Sequence, residues 1–233
     1  TLARAGAKPI GLERGRPVDL RARDVNAFWK DGTLNPSSNV QFGEGGAGAF
    51  SDGKLTTGIS DPRCGFVLKT LYEHGAPEEI LYLAKPHIGT DRLPKVVQSI
   101  REEIVRLGGE VLFETRLVSL ITEDGRLAAA RIEQDGEARE LPAQNVVLAV
   151  GHSARDTFES LYASGVPMRS KPFSIGARIE HPQKLIDRAQ YGSSAGHPDL
   201  GAADYKLNAR LPGGRGVYTF CMCPGGLVVA AAS

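Results

Sequence analysis

No run of apolar residues in this 233-residue chain is long enough to span a bilayer, so it offers no candidate membrane-spanning helix. The opening residues, Thr1-Leu2-Ala3-Arg4-Ala5-Gly6, lack the apolar core of a signal peptide. Cysteine is scarce: three residues, an odd number, make no disulfide framework and point to a reducing, cytoplasmic setting. An excess of either charge is missing as well. With 28 Lys and Arg against 27 Asp and Glu, the net charge of +1 gives no electrostatic reason to expect nucleic acid or an acidic membrane surface. Internal repeats and low-complexity tracts are absent. Hydrophobic content of 41% and charged content of 24% are ordinary for a globular protein, and the length suits one large domain or two small ones.

The most conspicuous stretch is Asn39 to Lys54, NVQFGEGGAGAFSDGK, with five glycines in sixteen residues. Glycines admit positive φ and let backbone N–H groups face an anion or lie flat on a ring. A phosphate, a flavin ring and a flexible linker all fit that composition. A linker would be richer in Ser and would not set Phe42 and Phe50 on either side of the glycines.

Around this loop the chain reads as mixed α/β. Thr1 to Gly6 has the character of a last helical turn, capped by Gly6. Pro9 to Glu13 predicts a short buried strand ending in an acid, and Arg16 to Ser38 an excursion over the surface. A helix is expected near Gly65 to His74. Another is expected from Leu93 to Leu107, where Val96, Ile100, Ile104 and Leu107 share one face, Asp91 caps the start and Gly108-Gly109 the end. Glu110 to Thr115 predicts a strand. Three antiparallel strands follow, Leu117 to Ile121, Leu127 to Glu133 and Glu137 to Leu141, turning at Asp124-Gly125 and Asp135-Gly136. The apolar run Val146 to Val150 predicts a parallel strand buried on both faces. Beyond Ser153 the chain reads as β-rich, with strands at Phe173 to Ile179, Tyr205 to Arg210, Val217 to Met222 and Leu227 to Ala231, and a helix near Gln183 to Ala189.

Several segments together resemble a family of bacterial FAD-dependent dehydrogenases related to the glutathione-reductase-like flavoproteins. They are LERG at Leu12 to Gly15, the glycine stretch through Leu55, KPHIGTD at Lys85 to Asp91, VVLAVGHSARDTF at Val146 to Phe158 and YTFCMCPGG at Tyr218 to Gly226. The resemblance implies an FAD/NAD(P)-binding, Rossmann-like three-layer ββα domain, incomplete here, with a β-rich second region. It divides the chain into a first part of the FAD domain (1–60), an excursion toward the substrate region (61–90), a second part with the meander (91–152) and a cap (153–233). The glycine fingerprint G-x-G-x-x-G expected after a first strand and ahead of Glu13, and the C-terminal segment with its Gly-Asp pair, are missing from the sequence. The first residue is not Met, and Gly226 to Ser233 reads as an interrupted strand. A piece of a longer protein is therefore expected.

Carried over by position, the resemblance makes Glu13 the acceptor for the adenosine ribose hydroxyls, with Arg14 beside it. Gly43, Gly45, Gly46, Ala47, Gly48, Ser51, Asp52, Gly53 and Lys54 become the loop beside pyrophosphate, ribityl chain and ring. Leu117 lies at the adenine edge, and Val150, Gly151 and His152 pass under the pyrophosphate. By their own chemistry, Lys54 would either neutralise phosphate charge or steady the charge of the reduced ring, and His87 would either move a proton or serve as a structural hydrogen-bonding residue. The implied activity is a cytoplasmic oxidoreductase moving a hydride between a small-molecule substrate and FAD, with NAD(P)H as a further electron donor. A flavoprotein of tRNA modification, a non-catalytic redox-sensing module and an NAD-only dehydrogenase are the rivals.

Cys221 and Cys223, at i and i+2, would share one face of a strand as a redox pair or half a metal site. Against this, no C-x-x-C lies near the glycine loop, and Cys64 with His197 makes a poor completion of a zinc site, so no metal is expected. Arg155, Lys171 and Arg178 either bind an anionic substrate or lie on the surface.

Overall fold

The computed structural model describes residues 1–50, 53–220, 222–228 and 230–231. Ser51, Asp52 and Cys221, three of the residues singled out above, lie outside them. The chain divides into two units, residues 1–169 and residues 170–230.

The first unit is built on a short parallel pair. β1 (Ile10–Leu12) lies beside β2 (Glu110–Leu112), with Ile10 opposite Glu110 and Leu12 opposite Leu112. The pairing runs on past both strands, because Glu13 N–H donates to Leu112 O and Thr115 N–H to Glu13 O. β1 is not buried as expected: Ile10 is 49% exposed, since β2 is its only strand partner among the described residues.

Where a surface excursion was expected, the chain forms a helix, α1 (Val18–Asp31). Val18, Arg21 and Val25 fall at i, i+3 and i+7 and are all buried. An arginine at the centre of the inward stripe disguises the amphipathic pattern. Gly32, at φ 81°, closes the helix by donating to Phe28 O.

α2 (Arg63–Glu73) and α3 (Leu93–Arg106) form as the sequence predicts. Asp91 makes no cap, because Arg92 occupies that position without a side-chain hydrogen bond. Gly108, at φ 86°, ends α3. Ala76, Ile80, Ile88 and Val96 make a small core, joined by Leu55, Leu68, Leu71, Leu93 and Ile100.

The meander is β3 (Thr115–Glu123), β4 (Arg126–Gln134) and β5 (Glu137–Pro142), all antiparallel in that order. Asp124 and Gly125, like Asp135 and Gly136, sit at positive φ and turn the two hairpins as anticipated. A register shift between Leu117 and Ser119 leaves the Val118 carbonyl to accept the Ser160 hydroxyl of α4 (Arg155–Ala163) at 2.7 Å.

Val146 to Val150 is not a buried strand. No strand forms there, Val147 is 82% exposed and Leu148 43%. The run has no neighbour to hydrogen-bond among the described residues, so its apolar character alone does not place it in a sheet.

The second unit is less β-rich than its sequence implies. It holds α5 (Gln183–Tyr191) and one hairpin of two three-residue strands, β6 (Asn208–Arg210) and β7 (Gly216–Tyr218). Phe173 to Ile179 forms no strand, and Ile175 is 92% exposed. No strand appears at the described residues of Leu227 to Ala231 or past Tyr218. Gln183 organises this unit: its amide donates to Asp187 Oδ1 and Ala203 O and accepts the Gly225 N–H.

Candidate functional site

Three segments of the first unit converge at the tip of β1. The anchor is Glu13, whose Oε1 accepts the backbone N–H of Gly15 at 2.8 Å and of Gly43 at 3.0 Å. The glycine loop therefore starts against the end of β1. Its other side meets the segment leading into α4, where the Ser153 hydroxyl lies 3.5 Å from Gln41 Oε1. Arg14 spans the same ground. Its guanidinium covers the Phe42 ring at 4.5 Å and grips Asp156 with bonds of 2.7 and 2.8 Å. Burial works to raise the Asp156 pKa, but the bonds from Arg14, Arg116 and the Thr157 N–H hold it below the usual carboxylate value.

The loop is held from behind by residues the sequence reading did not select. Arg21, with no exposed surface, donates to three backbone carbonyls: Asn39 at 2.8 Å, Val40 at 3.0 Å and Glu44 at 2.6 Å. It also lies over the Phe50 ring at 4.8 Å. Burial lowers its pKa to about 10, against the pull of Glu13 and Glu44. Glu44 is buried too. Its Oε2 accepts the Val18 N–H at the start of α1, and its Oε1 accepts Arg101 of α3, both at 2.8 Å. A charged residue on the inner stripe of a helix next to a glycine loop is the one sequence signal that could have revealed Arg21.

The glycines fall into two groups. At Gly43, φ 116°, an added Cβ would sit 2.3 Å from Arg21 Cδ; at Gly45 it would meet Ala49 and Val97. Internal packing requires both. Gly46 and Gly48 have open space where a side chain would go. Ala47 is exposed between them, within the 3-10 turn Gly46–Phe50.

Gly53 and Lys54 continue to an isolated antiparallel bridge that sets Lys54 opposite His87. The two sequence candidates for proton and charge chemistry are thus neighbours, both exposed. Leu117 pairs with Ile132 in the meander rather than with the loop. Val150 is half-buried; Gly151, at φ 71°, and His152 are exposed, with nothing within 4 Å of the Gly151 Cβ direction. Arg155, Lys171 and Arg178 are exposed. Two open hollows at the tip of the β3–β4 hairpin, beside Asp124, Arg126 and Asn145, touch none of the site.

The donor set fits a dinucleotide in two respects. Glu13 Oε2 receives no hydrogen bond among the described residues and remains an acceptor for a hydroxyl, and Gly46, Gly48 and Gly151 leave open space where side chains would stand. No group of three or more His, Cys, Asp or Glu side chains among the described residues could hold a metal ion. Cys64 is half-buried and Cys223 exposed. No described helix is long and apolar enough to cross a membrane.

Comparison with known proteins adds a family match over the C-terminal part of the chain. Residues 172–233 match the family model described as FAD-dependent protein, C-terminal domain-like. Over 236 residues the chain is 57% identical to an uncharacterized protein of Clostridium beijerinckii, covering 100% of this chain and 43% of that protein. The chain thus spans less than half the length of this curated relative. Among solved structures it is similar to Thermovibrio ammonificans THI4, at 16% identity and a TM-score of 0.41, over 69% of this chain and 64% of the other. A likeness at that level carries no argument about fold or function.

Proposed function

We propose that the chain is part of an FAD-dependent oxidoreductase and that its first unit is the core of a Rossmann-like FAD-binding domain. The observation that carries this reading is the meeting of β1 and the glycine loop at one carboxylate oxygen, Glu13 Oε1. The family match of residues 172–233 supports the choice of FAD over a plain nicotinamide cofactor.

In this reading Glu13 Oε2 accepts from the adenosine ribose hydroxyls. The Gly46 to Gly48 turn, with open space in place of side chains at both glycines, and the segment Val150-Gly151-His152 would hold the pyrophosphate. Arg14, fixed by Asp156 and Phe42, keeps this edge of the cleft in place. Bound flavin would supply a ring able to take or give a hydride. Lys54 sets positive charge at the downstream end of the loop, and His87 beside it moves a proton to or from the substrate.

The test is the visible spectrum of the protein expressed from its complete reading frame, with identification of any released cofactor. A flavin spectrum, and FAD released on denaturation, is the expected result. A colourless protein that also fails to bind added FAD would end the proposal.

A further inference from the structure

Arg21 is a buried cation whose hydrogen bonds go to main-chain oxygens. No exposed surface remains to it, and among the described residues it bonds to no carboxylate. Burial lowers its pKa only to about 10, so the guanidinium is charged at neutral pH. The two carboxylates whose charge acts on it, Glu13 and Glu44, are bonded elsewhere. Glu44 holds the Val18 N–H and Arg101, and Glu13 Oε1 holds the N–H groups of Gly15 and Gly43.

Each carbonyl that Arg21 grips belongs to a peptide whose N–H points the opposite way, because C=O and N–H are antiparallel in a trans peptide. Two of those N–H groups are not offered to a ligand: Val40 is buried, and the Gln41 N–H donates to Asn39 Oδ1 at 2.9 Å. The third differs. Glu44 O receives the shortest of the three bonds, 2.6 Å from Nη1, and the N–H across that peptide belongs to Gly45. Gly45 is exposed, and its N–H makes no hydrogen bond among the described residues. It is the third residue of the turn closed by Gly46 N–H on Gly43 O and sits at φ 84°, where a type II turn calls for glycine. The peptide therefore keeps its oxygen on a buried positive charge and turns its hydrogen away from that charge. Polarisation through the peptide makes the N–H a stronger donor, and one that favours an anion. Salt in the solvent screens a buried cation little.

We propose that the Gly45 N–H is a phosphate-binding donor and that Arg21 is its positioning residue, acting through the Glu44–Gly45 peptide. A phosphate oxygen at Gly45 gains from the guanidinium charge without reaching the buried side chain. Assigning that oxygen to the FAD pyrophosphate rests on the flavoprotein reading. Anion binding itself needs no flavin.

The experiment follows the Gly45 amide by NMR in the protein expressed from its complete reading frame, with isotope labels on glycine nitrogen and glutamate carbonyl. Only Glu-Gly pairs then give a carbonyl-edited amide signal. These 233 residues hold one such pair, Glu44-Gly45, and Gly45→Ala identifies its signal by removing it. Inorganic pyrophosphate, and separately FAD, is added at constant ionic strength against a sodium chloride control. A saturable downfield shift of the Gly45 proton is expected with both. Arg21→Met should weaken pyrophosphate binding about tenfold, the step from a charge-assisted to a neutral donor. Arg21→Lys, which keeps the charge, should recover most of that loss. A Gly45 shift that is linear in concentration or equal to that with chloride would overturn the proposal, and so would equal losses in the two variants. If Arg21→Met does not fold, the parent's Gly45 shift decides the matter. Saturation by pyrophosphate without FAD binding retains the anion donor and removes the flavin; FAD binding that leaves the Gly45 amide unmoved does the opposite.

Discussion

Glu13 and Gly43, thirty residues apart, are joined through a single oxygen, Oε1, which also accepts the Gly15 amide. The bond brings the end of β1 and the start of the glycine loop together. It also leaves the other carboxylate oxygen without a hydrogen bond among the described residues. In the proposed reading, one side chain holds the fold with one atom and a ligand with the other.

Those two duties separate by substitution. In Glu13→Gln the amide oxygen can still accept from Gly15 and Gly43, but the second atom becomes a donor. We expect the thermal midpoint to stay close to that of the parent while FAD binding weakens roughly ten- to a hundredfold, the loss for one hydrogen bond to a charged group. Glu13→Ala should lose both. Equal FAD affinity in all three proteins, by fluorescence titration, would remove Glu13 from the cofactor site.

Glycine substitutions should divide along the line drawn by packing. Gly43→Ala collides with Arg21 and strains a positive φ, so it should destabilise by roughly 2–4 kcal/mol. Gly48→Ala enters open space and should leave the urea midpoint unchanged while weakening FAD binding. A Gly48→Ala protein with full FAD affinity would show that this part of the loop does not touch the ligand.

Removal of the Arg21 guanidinium leaves three buried carbonyls without their donor, so Arg21→Met should cost roughly 3–5 kcal/mol. The double variant with Gly43→Ala should be less unstable than the sum, because a side chain no longer anchored to three carbonyls can swing away from the new methyl group. Strict additivity in urea denaturation would mean that the two positions do not share the space described.

The Asp156 carboxyl is held below its ordinary value in the folded protein. A depressed acid adds stability above its unfolded pKa of about 3.8 and loses it as pH falls toward the folded value. Asp156→Asn should be less stable at neutral pH and should lose less on acidification below about pH 4. Part of the acid sensitivity should persist, since Glu103, held low by Arg4, titrates in the same direction. Parallel stability curves for the two proteins would contradict this account.

Substituting Cys221 and Cys223 together by Ser should leave flavin reduction intact, as measured by bleaching of the visible band. Loss of turnover would make them redox residues.

Much of the frame was legible in the residues. α3 announced itself by Val96, Ile100 and Ile104 at helical spacing, and the meander by two Asp-Gly turns whose geometry tolerates almost nothing else. α1 stayed hidden because its largest buried side chain is an arginine, and periodicity counts only apolar residues. The run at Val146 misled for the opposite reason, since strand character needs a partner as well as composition. At the site, the glycine loop stood out, yet the reason for Gly43 was not readable. It makes room for Arg21, which lies twenty-two positions earlier and looks like a surface charge. The pairing of Lys54 with His87 depends on a tertiary contact that no local pattern encodes.

Arg21 grips main-chain oxygens, and its hold on the segment Asn39 to Glu44 is complete before any visitor arrives. Ordering six such residues at the moment of association would cost about 1–2 kcal/mol each in lost backbone freedom. Here that entropy is already spent in folding, so recognition at this end of the loop should resemble a rigid dock more than a closing hand.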